Sequence, residues 1–191
     1  NSDIKLLPDN SSFRRLLKAK RKEDIKESDY IGNLQGLNQR FVFYNGAVGQ
    51  KQLEWFDKEL DDAKAAEQNV LVFCHMPLLP GICRPGMLLW NYDEVLDTMH
   101  RYTENVKGVF GGHVHHFGFQ RDDRGIPHMV LPAVLETEPG KDGHGVIEAY
   151  SDMIIVNGFS LPEMVWHFGA QRRKSLGTFS SSERLASPAG V

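Results

Sequence analysis

Cysteine is nearly absent from this sequence: Cys74 and Cys83 are the only two in 191 residues. Cys74 closes an apolar run, where a thiol behaves as a small hydrophobe. A disulfide framework is thus not the organising device, and the expected location is a reducing compartment, the cytoplasm. Long apolar runs are missing too. Nothing approaches the roughly 18 residues that cross a bilayer, and the N-terminus lacks a basic-then-apolar signal pattern, so the expectation is a soluble chain with no membrane partner. Neither charge sign dominates: 22 Lys and Arg face 25 Asp and Glu, for a net charge of -3. That leaves no electrostatic footprint for nucleic acid. There is no internal repeat, and no initiating methionine either. The sequence opens on Asn1 and reads as a fragment of something longer.

What is present fits one domain of ordinary globular composition, 41% apolar and 25% charged. Residues 12–27 mix both charge signs around Phe13, Leu16 and Leu17 and predict a solvated helix. Arg40 to Tyr44 is a short apolar aromatic run that reads as a strand ended by Asn45 and Gly46. From Gln50 to Ala66, Leu53, Trp55, Phe56, Leu60 and Ala63 recur at helical spacing. Val70 to Cys74 is a continuous apolar run, the pattern of a strand buried on both faces. The Pro- and Gly-rich residues 77–87 form a loop after it. A helix from Asp93 to Tyr102 and a strand from Val106 to Phe110 follow. Four further short strands are expected at Ile126–Val134, Gly145–Tyr150, Met153–Val156 and Glu163–Phe168, arranged as hairpins on an α/β body. Residues 169–191 are small, polar and basic, and read as a disordered tail. The division is therefore a charged segment over 1–35, a domain over 36–168 and the tail.

Two of the apolar strands stop at histidine: VLVFC before His75, and VKGVFGG before His113 and His115. In open α/β sheets, ligands bind at the carboxyl ends of strands, which puts three imidazoles on one rim. Residues two apart in extended chain point the same way and lie roughly 6.6 Å apart. Two metal ions about 3.5 to 4 Å apart can then each take one imidazole of the His113–His115 pair. Neutral imidazole suits zinc, iron and, less selectively, manganese. A lone histidine after a strand is more often a loop residue than a ligand; it is the two motifs together, both at strand ends, that point to a metal site. His116, His128 and His144 read as surface or hairpin residues. Trp90, Asn91 and Tyr92 leave the loop after His75, where a nucleotide base could stack, although the plainer reading has them anchoring the next helix.

Cys74-His75-Met76-Pro77 followed by Gly112-His113-Val114-His115 resembles the last two metal motifs of calcineurin-like metallophosphoesterases. Gln52-Leu53-Glu54-Trp55 resembles a helix entry of that family. Arg40-Phe41-Val42, Asn45-Gly46, Leu89-Trp90-Asn91-Tyr92, Leu135-Glu136-Thr137, Pro139-Gly140 and Gly145-Val146-Ile147 are similar to its manganese-dependent ADP-ribose/CDP-alcohol diphosphatase branch. The resemblance implies a partial calcineurin-like α/β fold, a mixed β-sandwich flanked by helices with its N-terminal half missing. It implies two divalent ions, manganese first and zinc or iron as alternatives. His75 and His113 hold one ion and His115 the other, and a bridging hydroxide attacks phosphorus. The implied partner is a small nucleotide diphosphate.

The family also needs an Asp-x-His, a Gly-Asp-x-x-Asp and a Gly-Asn-His ahead of these motifs, and residues 1–74 contain none of them. No catalytic residue is therefore assigned within this chain, which is expected to be inactive alone while a longer parent hydrolyses ADP-ribose or CDP-alcohols. A phosphomonoesterase or cyclic phosphodiesterase of the same superfamily, and a silent fragment or binding module, remain open as alternatives.

Overall fold

A computed structural model describes Ile31, residues 34–42 and residues 44–168. The helix expected over 12–27 and the tail expected over 169–191 lie outside the described residues. Parallel pairing organises the rest. Strand β1 (Val70–Phe73) lies beside β2 (Val106–Gly111), which lies beside β4 (Pro127–Val130), all three in one direction. Strand β3 (Gly118–Arg121) pairs antiparallel with β4 and closes the order β1-β2-β4-β3. A second sheet is an antiparallel meander of β5 (Gly145–Ala149), β6 (Met153–Gly158) and β7 (Leu161–His167).

The sheets face each other across a core in which Phe110 and Met129 meet Ile154, Val156 and Trp166. The Trp166 indole N–H crosses to the Lys107 carbonyl at 3.0 Å. The other face of the first sheet is covered by α1 (Gln50–Ala65) and α2 (Tyr92–His100). Leu60 and Ala63 of α1 and Val95, Leu96 and Met99 of α2 turn inward at helical spacing and bury against Val72, Val106 and Val109. Each fully buried aliphatic side chain of this kind contributes about 1.5 to 3 kcal/mol. The mixed sandwich with flanking helices is the expected fold.

Several expectations are corrected. Among the described residues of Arg40 to Tyr44 none is in a strand. Gly36–Arg40 is a 3-10 helix, and Phe41 and Val42 are fully buried in the turn that follows. Apolar content there serves side-chain packing of Phe41 against Leu34 and Trp90, with no ladder. Strand β1 is not buried on both faces, since Phe73 is 64% exposed at the sheet edge. Trp55 lies off the inward stripe of α1 and is exposed. The Ile126–Val134 segment supplies β4, the second arm of a hairpin with β3, and its other edge pairs parallel with β2, so this hairpin is built into the first sheet rather than added to its outside. The missed β3 carries Phe119, Gln120 and Arg121 on an edge and shows no apolar run. Its Gly118 is required, because a Cβ there would lie 2.8 Å from the Ile82 carbonyl. His128 is no surface residue: it is 2% exposed, and Asp122 accepts from its Nε2 at 3.2 Å.

Candidate metal centre

The β1–β2 register sets the rim. Phe73 pairs with Phe110, so two residues further on His75 meets Gly112, whose N–H donates to the His75 carbonyl at 2.9 Å. Gly112 lies against the His75 ring, and a Cβ there would meet His75 Nδ1 at 3.6 Å, an ordinary packing contact. On the other side the Leu131 N–H donates to the Gly111 carbonyl at 2.8 Å, which carries the ladder past the end of β4. A 3-10 turn, Val134–Glu136, then brings Glu136 to the same rim.

The His113–His115 stretch is not extended. Both histidines have positive φ, 66° and 67°, a left-handed conformation that costs a non-glycine residue on the order of 1 kcal/mol. The fold therefore holds strain where the candidate ligands stand.

The rings of His75 and His113 lie 5.3 Å apart, edge to face at 78°. Two imidazoles sharing one ion through bonds of about 2.0 to 2.1 Å keep their centroids roughly 5 Å apart, so this pair fits a common ion. The three rim histidines do not together place donor atoms within 4.8 Å of one another. Among the described residues only His100, Asp122 and Asp123 do so, at a different place. As they stand, the three do not form a single cluster of donor atoms.

Each of the last two histidines has a partner that sets its tautomer. Asn45 donates its amide N–H groups to the carbonyls of Arg40, Gly86 and Leu88 at 2.9, 2.7 and 3.1 Å. Its Oδ1 therefore faces His113 Nε2, 3.0 Å away, and that nitrogen carries the hydrogen. His113 Nδ1 keeps the free lone pair. At His115 it is Nδ1 that faces a carboxylate oxygen, Glu136 Oε1 at 3.4 Å, which leaves Nε2 free. Burial first, and the neighbouring His75 and His115, hold the His113 pKa below the usual histidine range, so it is a neutral donor. The half-exposed Tyr44 ring borders the site, 6.2 Å from His113.

Trp90, Asn91 and Tyr92 have partners within the fold, in keeping with the plainer anchoring reading. Trp90 is 3% exposed, and its indole N–H donates to the Val42 carbonyl at 3.2 Å. Asn91 is buried and exchanges hydrogen bonds with the Val48 backbone at 2.8 and 2.9 Å. The Tyr92 ring carries the Arg40 guanidinium 5.0 Å from its centroid. Asn45 and Glu136 were not among the candidate site residues. Asn45 had been read as a strand terminator, and Glu136 stood only within a stretch of resemblance.

No family model matches the chain. It is 38% identical over 151 residues to a manganese-dependent ADP-ribose/CDP-alcohol diphosphatase of Arabidopsis thaliana, covering 79% of this chain and 48% of that protein. A protein of the same name from Oryza sativa is 42% identical over 125 residues, 65% of this chain and 39% of its own length. A human one is 30% identical over 144 residues, 74% of this chain and 42% of its own length. The crystal structure of a dimetal phosphatase from Danio rerio superposes with a TM-score of 0.76 at 26% identity, covering 85% of this chain and 53% of that one. The chain thus spans about half the length of the relatives it matches. With the sandwich fold, the rim histidines and these likenesses together, the chain belongs to the calcineurin-like metallophosphoesterase family, among relatives named manganese-dependent ADP-ribose/CDP-alcohol diphosphatases.

Proposed function

We propose that residues 36–168 form the histidine-bearing part of a two-metal hydrolase that cleaves the phosphoanhydride bond of a small nucleotide diphosphate, ADP-ribose or a CDP-alcohol. Manganese is the proposed ion and the cytoplasm the proposed place of action. The observation that carries this reading is that Asn45 Oδ1 faces His113 Nε2 while Glu136 Oε1 faces His115 Nδ1, contacts that leave Nδ1 free on one ring and Nε2 on the other. His75 and His113 hold one ion and His115 the other. Bound divalent ions supply an activated water and neutralise charge on the phosphates. The chain's own residues supply position: Asn45 locks His113, the Gly112 N–H ties down the His75 backbone, and Glu136 orients His115.

Three neutral imidazoles bring no charge to two divalent cations, and Glu136 is already engaged with His115. The 191-residue chain is therefore inactive alone in this reading, and activity belongs to a longer parent protein. The test is manganese-dependent release of AMP from ADP-ribose by the parent, run beside CDP-choline and an aryl phosphate. Loss of most of the rate on His113→Ala supports the reading. Preference for the aryl phosphate replaces it with a phosphomonoesterase, and full activity of the 191-residue chain refutes the incomplete site.

A further inference from the structure

The turn between β3 and β4 divides its charges. Its acids face α2, with Asp122 3.0 Å and Asp123 3.8 Å from His100 Nε2. Its bases line a separate cleft of about 150 Å³, bounded by Lys107 at the start of β2, Arg121 at the end of β3, Arg124 in the turn and His167 at the end of β7. No Asp or Glu lines this cleft. Among the described residues, Lys107, Arg121 and Arg124 take part in no ion pair, in a chain whose net charge is -3.

Two of the three cations are held by neutral partners. Arg121 donates one N–H to the Gly125 carbonyl at 2.8 Å. Lys107 donates to the Glu104 carbonyl and sits 5.0 Å over the Phe168 ring. Such contacts fix the charged heads without cancelling their charge, so the ordering entropy of long side chains is partly met before any ligand arrives. The Arg124 guanidinium makes no hydrogen bond among the described residues and keeps its planar set of donors, which matches phosphate oxygens. An anion seated among the three gains attraction from each, about 1 kcal/mol per charge at 4 Å even in bulk water.

We propose that this cleft is a binding site for a small phosphate-class anion. Its volume is well below the roughly 300 Å³ at which organic-ligand pockets begin, so it suits a phosphate or pyrophosphate group rather than a whole nucleotide. It is distinct from the histidine rim: the cleft borders the first residues of β2 while His113 follows its last, about 20 Å apart along a six-residue strand.

The test uses the full 191-residue chain carrying His113→Ala and His115→Ala, in chelator, so that the rim contributes nothing. Inorganic phosphate, pyrophosphate and AMP are titrated by calorimetry and by amide NMR at constant ionic strength. Saturable shifts at Lys107, Arg121 and Gly125, with pyrophosphate tighter than phosphate and about fivefold weaker binding in Arg124→Ala, are expected. Arg121→Glu should abolish binding. Tighter binding of AMP than of phosphate assigns the site to a nucleotide's terminal phosphate, and weaker binding assigns it to the free anion. Shifts that follow chloride equally well, or that persist in both arginine variants, overturn the proposal. The Arg124 side chain is exposed and makes no hydrogen bond or ion pair, and its backbone N–H, which donates to Asp122 Oδ1, is kept in Arg124→Ala, so this variant separates binding from folding.

Discussion

Asn45 Oδ1 lies 3.0 Å from His113 Nε2, and it is the only orientation of that amide which the surrounding carbonyls allow. Turning the amide over would aim its oxygen at three carbonyl oxygens. The metal-free protein should accordingly show the Nε2–H tautomer at His113 in 15N-detected histidine NMR. Asn45→Ala should mix the tautomers and lower manganese affinity by about 10- to 100-fold, the usual cost of losing a partner behind a ligand. It should also cost about 2 to 3 kcal/mol in urea unfolding, since buried carbonyls lose their donor. An unchanged tautomer in the variant would show that the ring is set by something else.

Acid should destabilise the fold in two stages, both read from the His100–Asp122–His128 network. Burial holds the His128 pKa below 6.5, against the raising influence of Asp122. Unfolded chain then binds a proton that the folded chain refuses, so stability falls as pH drops below about 6.5, by at most about 1.4 kcal/mol per pH unit. Burial would raise Asp122, but the donors His100, the Ile126 N–H and His128 outweigh it and hold its pKa below 3.8. Its contribution is present above that value and is lost as pH falls through the folded pKa. Chemical denaturation from pH 8 to 3 checks this, and His128→Gln should flatten the first stage alone.

How much of this was legible in the sequence differs from residue to residue. His75, His113 and His115 were found because apolar strands end at them, and the parallel register that joins His75 to Gly112 follows from those strands lying side by side. Asn45 was not legible: its link to His113 spans 68 positions and exists only once the loop carrying Gly86 and Leu88 has packed. His128 stands on the β3–β4 hairpin, one of the two places expected for it, but not at the surface, because Pro127–Val130 is buried at all four positions between β2 and β3 and polarity said little about exposure. Phe41 and Val42 were misread because burial without a ladder has the same apolar composition as burial within one.

Trp90 gives a test that separates anchoring from base stacking. Its indole N–H donates to Val42, its own carbonyl accepts from Arg40 Nε at 2.6 Å, and its ring packs on Phe41 and Leu34. Trp90→Phe keeps much of the ring and removes the donor, so stability should fall by about 1 to 2 kcal/mol. In the parent enzyme the KM for ADP-ribose should stay within twofold of the unmodified value. A KM increase without loss of stability would return Trp90 to the substrate site.

The last prediction concerns the exposed edge of the first sheet. Strand β1 has β2 on one side and, among the described residues, no strand on the other. Beside it an apolar groove of about 370 Å³ runs between β1 and α1, and both Trp55 and Phe73 border it while more than half exposed. Unpaired N–H and C=O groups beside apolar surface invite pairing with another chain, and natural edges are usually blunted by a charge or a proline. Val70–Phe73 carries neither. The 191-residue chain should therefore bind the dye ANS and sediment with a mass that rises with concentration. Phe73→Lys should reduce both signals, because it places a charge on the edge at a position that is already 64% exposed and so costs the fold little. Gln50→Lys, in the exposed first turn of α1, serves as the control for added charge away from the groove and should leave both unchanged. A strictly monomeric, ANS-silent chain would mean that this edge is covered in solution.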